Sequence, residues 1–267
     1  MDPSTCDPEP RAGGAAAELG APAPDGPEPA AAPAPSAPPR AWRPLLAALV
    51  TTAVVTAVSW LAPEKYAATL VGLVFLAATW WLVLRKDEFT IRRHGMSVGG
   101  LLEPLALDPR RMGRDGLRAL VYVLVLCAIV FPLFAVGYVL WWHPRAHFVL
   151  RPPTSIFDEV TGQLLVIALP EEAFFRGYLQ TALDDAWTPK LKVLGAKVGP
   201  GLLVASAIFA VGHLLTTPHP ARLAVFFPAL LFGWLRAKTG GVGAGVVFHA
   251  ACNIFSATLA RGYGMGS

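Results

Sequence analysis

The sequence predicts an all-α protein, a polytopic transmembrane helical bundle, and three observations carry that prediction. Of its 267 residues 54% are apolar and only 15% are charged, against roughly 25% charged in an ordinary soluble domain. The mean hydropathy is +0.51. Apolar runs of about the 20 residues that a spanning helix needs recur from residue 44 to the C-terminus. A single soluble globular domain is excluded by these three features together.

The first forty residues have a different composition. They hold 11 of the 25 prolines, one large aliphatic residue (Leu19), and six acidic against two basic side chains. Such a stretch buries too little apolar surface to offset the cost of ordering, so 1–40 is expected to be a disordered Pro/Ala-rich cytoplasmic tail. It lacks the basic start, apolar run and small-residue cleavage site of a signal peptide. The first apolar run is therefore expected to be an uncleaved anchor, and 41–267 the membrane domain.

Seven to eight spans are expected, with seven placed at 44–62, 66–84, 119–142, 156–176, 200–217, 221–236 and 241–260. Residues 176–187 mix aromatic and charged side chains at helical spacing, so they either extend the fourth helix past the bilayer or lie on its surface. The segment 85–118 reads as a basic loop with a short surface helix. With the N-terminus inside, sixteen Lys and Arg fall in inner loops and five in outer ones, with Arg176 at the membrane. The reverse topology inverts that ratio. The net charge of +4 thus reports loop placement, and no nucleic-acid partner is expected. The three cysteines, Cys6, Cys127 and Cys252, make no disulfide framework.

The chemistry lies where the apolar pattern is broken. An ionisable side chain near the bilayer centre costs about 2.5 to 3.5 kcal/mol on insertion scales, so each demands a partner or a task. In Pro170-Glu171-Glu172-Ala173-Phe174-Phe175-Arg176, Glu172 and Arg176 are i, i+4 neighbours that can neutralise each other. Glu171 is rotated about 100° away and has no local cation. That is the residue type and setting of a general base working near neutral pH. A second break is Phe209 to His213, a lone imidazole in an apolar run, and a third is His249 to Asn253, where His and Asn share one helix face.

A base, two imidazoles and an amide are an inventory for amide hydrolysis: a carboxylate to activate water, and donors for the developing oxyanion. Each has an ordinary structural reading as well. A Glu–Arg pair at i, i+4 is commonly a structural ion pair, Glu171 could be a helix-end carboxylate at the interface, and an intramembrane His or Asn often bridges helices. Three such arrangements in three separate spans make coincidence the weaker explanation.

At these residues the sequence resembles the intramembrane glutamic proteases of the CPBP family, which includes CAAX prenyl endopeptidases and bacteriocin-processing proteins. The family pattern of EExxxR, FxxxH and HxxxN on three different helices is met in order at Glu171–Arg176, Phe209–His213 and His249–Asn253. The resemblance covers about 155–262. It implies that Glu171 activates water with help from His213, and that His249 and Asn253 form the oxyanion hole. Glu172 is implied at the catalytic cavity, with Arg176 and Phe209 in support.

No cofactor is expected. Zinc is the disfavoured alternative, with Glu171, His213 and His249 as its ligands; HExxH is absent. The expected partners are a polypeptide substrate in or at the membrane and the lipid bilayer. A composition rich in Ala, Pro, Gly and Arg suggests a bacterial inner membrane, where prenylated CAAX proteins are ordinarily lacking, so the expected cleavage is near the terminus of a membrane-associated or secreted polypeptide. A non-catalytic immunity or scaffold protein and a small proton-coupled transporter are the competing functions; a transporter predicts two related halves, and none is visible.

One geometric difficulty follows from these spans. If the fourth ends at 176, Glu171 lies near its inner end, whereas His213 lies about 20 Å into the fifth, toward the outer side. The two meet only if the fourth helix is long, tilted or kinked at Pro170.

Overall fold

The computed structural model describes residues 40–96 and 109–265. The expected disordered tail and part of the basic loop lie outside the described residues. Among the described residues eight helices follow one another: α1 Trp42–Leu61, α2 Glu64–Leu84, α3 Glu88–Arg93, α4 Pro109–Trp142, α5 at 156–186, α6 Pro200–Thr216, α7 Phe226–Thr239 and α8 Gly243–Gly262. A 3₁₀ turn, Pro220–Val225, leads into α7, and a small antiparallel hairpin, β1 Leu191–Val193 with β2 Ala196–Val198, joins α5 to α6. The protein is a multi-pass helical membrane protein.

Each expected span coincides with a helix, but they are not alike. By length and composition α1, α2, α4 and α8 can cross a membrane. The other three are shorter or broken by charge: α6 has 17 residues, α7 has 14, and α5 carries the acidic motif. A hydropathy pattern reads these three as spans of ordinary length because it averages over the polar positions that α5 and α7 pack against one another.

The sequence dictates local features of each. Ser155 caps α5, accepting from the Asp158 amide at 3.2 Å, and Asp158 and Glu159 stand in its first turn, where the helix dipole favours acids. At the other extreme, α7 ends on Gly240 in the left-handed region (φ 77°), with Arg236 and Lys238 in its last turn. Within α5, the stretches 162–168 and 173–180 are wound as π-helix, a distortion that concentrates at functional sites. Pro170 sits between them with no N–H to give the preceding turn. Gly72 of α2 lies directly against the Val166 carbonyl oxygen there, where a side chain would collide.

α5 is the axis of the bundle. Every residue from 170 to 180 is buried, and Phe174, Phe175 and Leu179 join Phe209, Phe232 and Phe248 in one core. α4 is the opposite case, with only 6% of its apolar window buried, a helix whose surface is made for lipid.

The loops fall into two sets that contact only within themselves in the bonds described next. At one end Arg93 grips Asp185 at 3.1 and 2.5 Å, Arg236 donates to the Arg93 carbonyl at 2.7 Å, and Lys238 to the Leu194 carbonyl at 2.7 Å. At the other, Val149 N–H donates to Gly262 at 3.0 Å, Trp60 to the Leu215 carbonyl at 3.0 Å, and Trp142 stacks on His219. Loops that should share a side of the membrane do share an end of the bundle.

Candidate active site

The difficulty over Glu171 and His213 disappears because α5 continues to Ala186. Of the two options for 176–187, helix extension is what occurs. Glu171 is then fifteen residues from the end of α5 and His213 thirteen from the start of α6, two helices joined by the hairpin at the same end, so both stand at similar depth.

Glu172 is wholly buried and its Oε1 accepts two hydrogen bonds, from Arg176 Nη1 at 2.9 Å and from His249 Nδ1 at 3.0 Å. Arg176, equally buried, donates its other terminal nitrogen to the Ala229 carbonyl of α7 at 3.2 Å. Its guanidinium lies over the rings of Phe209 (4.4 Å) and Phe232 (5.1 Å), so π faces replace part of its lost hydration. The i, i+4 pair read from the sequence is therefore real, and it is also tied to two further helices.

Glu171 is placed differently. Its Oε2, which like Glu172 Oε2 has no hydrogen-bond partner among the described residues, stands 3.8 Å from His249 Nε2, and no cation or imidazole hydrogen-bonds to it as Arg176 and His249 do to Glu172. The two adjacent glutamates thus face opposite nitrogens of one imidazole. Because Nδ1 is bonded to Glu172, the ring is held with Nε2 toward Glu171. Phe232 stacks on the same ring at 4.7 Å and 14°, and Phe209 meets it edge-on at 5.8 Å.

His213 is partly exposed, with Nδ1 3.0 Å from the Phe209 carbonyl, which leaves Nε2 available. Its ring packs against Phe209 at 4.4 Å. Phe209 therefore touches Arg176, His213 and His249 at once. Among the described residues Asn253 makes no hydrogen bond to the other motif residues. One turn along α8 from His249, its Nδ2 donates to Gln163 Oε1 at 2.9 Å.

Three participants were missed by sequence reasoning. Gln163 is an isolated amide, Phe232 one of 14 phenylalanines, and Gly245 a small residue whose role emerges only in packing: a Cβ there would lie 3.1 Å from Glu172 Oε2. Among them only Gln163, a polar residue inside an expected span, carried a signal that could have been followed. Among the described residues no three His, Cys, Asp or Glu side chains are grouped so as to share a metal ion.

Fold and site together define a class: a multi-pass helical membrane protein with a buried carboxylate–imidazole cluster. Residues 153–255 match the model of the Rce1-like family, type II CAAX prenyl endopeptidases, a stretch that contains all three motifs. The matched stretch is similar to that family and overlaps the segment, about 155–262, in which the sequence resemblance was read. No curated protein and no solved structure matches the chain.

Proposed function

We propose that the protein is an intramembrane endopeptidase in which Glu171 activates water for attack on a peptide bond near the terminus of a membrane-associated or secreted polypeptide. The observation that carries this reading is the asymmetry of the two glutamates. Both keep an unpartnered Oε2, but Glu172 is committed through Oε1 to Arg176 and His249, while Glu171 faces an imidazole edge at 3.8 Å without a hydrogen bond to it.

A water between Glu171 and His213 Nε2 would find one acceptor on each side, so the carboxylate can take its proton as the oxygen attacks. His249, with Nδ1–H given to Glu172, donates from Nε2 to an oxyanion when it is imidazolium, and the two carboxylates balance that charge. Asn253 supplies the second donor. Collapse of the tetrahedral intermediate then needs a proton for the leaving amine, which protonated Glu171 can return. No step requires a metal.

On this reading 41–267 is the protease domain, with 155–262 as its catalytic core. The end that carries Arg93, Lys192 and Lys238 faces the cytoplasm of a bacterial inner membrane. The test is a purified sample incubated with a quenched peptide library. Cleavage is expected, lost in Glu171→Ala and His213→Ala and insensitive to chelators. Cleavage that persists in both variants overturns the assignment, and chelator inhibition overturns the metal-free mechanism. An immunity protein or a transporter would leave every peptide intact.

A further inference from the structure

α5 and α8 run antiparallel and are joined by three polar rungs. Arg261 grips Glu159 at 2.8 and 3.1 Å, Asn253 donates to Gln163 at 2.9 Å, and His249 donates to Glu172 at 3.0 Å. The outer rungs involve charges and fix the register of the two helices. The middle rung is a neutral amide pair, and one member of it is the oxyanion donor proposed above.

We propose that Gln163 is a positioning residue for the reaction: it holds the Asn253 amide so that an N–H, rather than the carbonyl oxygen, is presented to the oxyanion. The proposal rests on the role given to Asn253. A primary amide has nearly the same shape in its two flipped states, but one offers a donor and the other an acceptor. An acceptor would repel the very charge it is meant to stabilise. Accepting one Nδ2 hydrogen, Gln163 Oε1 sets the amide nitrogen toward α5 and leaves the second hydrogen on the same nitrogen free.

The placement of Gln163 on α5 adds a second effect. It stands eight residues before Glu171, about two turns along the same helix. The element that carries the base therefore also sets the donor, and the distance between water activation and oxyanion binding is fixed within one rigid unit. The flanking rungs keep α8 from sliding by a turn and breaking the pair. Interhelical hydrogen bonds between neutral side chains are worth little to membrane-protein stability on average, so a purely structural Gln163 predicts small effects throughout.

The test compares Gln163→Met, which removes the acceptor at similar volume, with Gln163→Glu, which keeps one. By analogy with groups that orient ligands from behind, kcat is expected to fall about 10- to 100-fold in Gln163→Met, with KM and the unfolding temperature nearly unchanged. Gln163→Glu should retain most of the rate. In an Asn253→Ala background Gln163→Met should cost nothing further, because the residue acts through that amide. Additive losses, a loss confined to KM, or a Gln163→Glu variant as slow as Gln163→Met would each overturn the proposal. If the wild-type protein cleaves and Glu171→Ala does not, yet Gln163→Met is as fast as wild type, this inference alone falls. If the wild type cleaves no peptide, the protease reading and this inference fall together.

Discussion

α4 and α5 are both long helices of one membrane protein, and they are built on opposite principles. α4 holds the most apolar window among the described helices, 6% buried, and it packs on α8, where Phe131 stacks on Phe255 at 4.3 Å. α5 fails the composition test for a span, yet it is the axis of the core and carries Glu171, Glu172, Arg176 and Gln163. Where the surrounding medium is lipid, apolar length secures insertion, while polar side chains must find partners within the protein. Hydropathy marks the helices that hold the protein in the bilayer. The buried polar cluster sits on the one that hydropathy ranks lower.

If this contrast is right, substitutions of similar size should differ sharply between the helices. The largest effect is expected for Arg176→Met, which leaves Glu172 buried beside His249 without its cation; breaking a buried pair in this way costs about 3 to 5 kcal/mol, measured as a fall in unfolding temperature in detergent. Gly245→Val should come next. Its side chain would press on Glu172 Oε2, and overpacking costs about 1 to 3 kcal/mol; the reciprocal truncation of a neighbouring core residue should recover little, since the clash is with a fixed carboxylate.

A smaller, pH-dependent effect is expected at the basic end. Burial holds the His94 imidazole below its ordinary value of 6.5, opposed by its bond to the Thr90 carbonyl and the charge of Asp185, and aided by Arg236 and Lys86. The folded state therefore favours neutral His94. Stability should be unaffected above the unfolded value and decline as the pH falls through and below 6.5, and His94→Gln should remove that part of the decline. Smallest of all should be Leu124→Ala on α4, whose side chain is exposed; changes away from packed features stay within about 0.5 kcal/mol. A loss at Leu124 equal to that at Arg176 would break the contrast.

Much of the site was legible in the sequence because its motifs are local. Glu172 with Arg176, Phe209 with His213 and His249 with Asn253 are each separated by four residues, and helical geometry alone aligns such pairs. Helix existence was legible for the same reason, since periodicity and apolar length are properties of a window. What was not legible depends on residues far apart in the chain. The end of α5 at 186 is supported by Arg93 on Asp185, across 92 positions, a contact that decides between the two courses left open for 176–187. Gln163 waits on Asn253, and Phe232 on His249, in helices that no local pattern brings together. The split between the glutamates was half legible: spacing gave Glu172 its arginine, but only packing gives it His249 as well.

The central claim is that Glu171 is spared from structural duty so that it can act on water, whereas Glu172 is not. Its most direct test is the cleavage rate of Glu171→Gln, with the unfolding temperature read on the same sample. The account predicts a loss of at least about 10³-fold, the size expected when a group essential to the chemistry is removed, with stability unchanged or slightly raised. A Glu171→Gln protein that cleaves at the wild-type rate, or one that loses activity only because it unfolds, would contradict it.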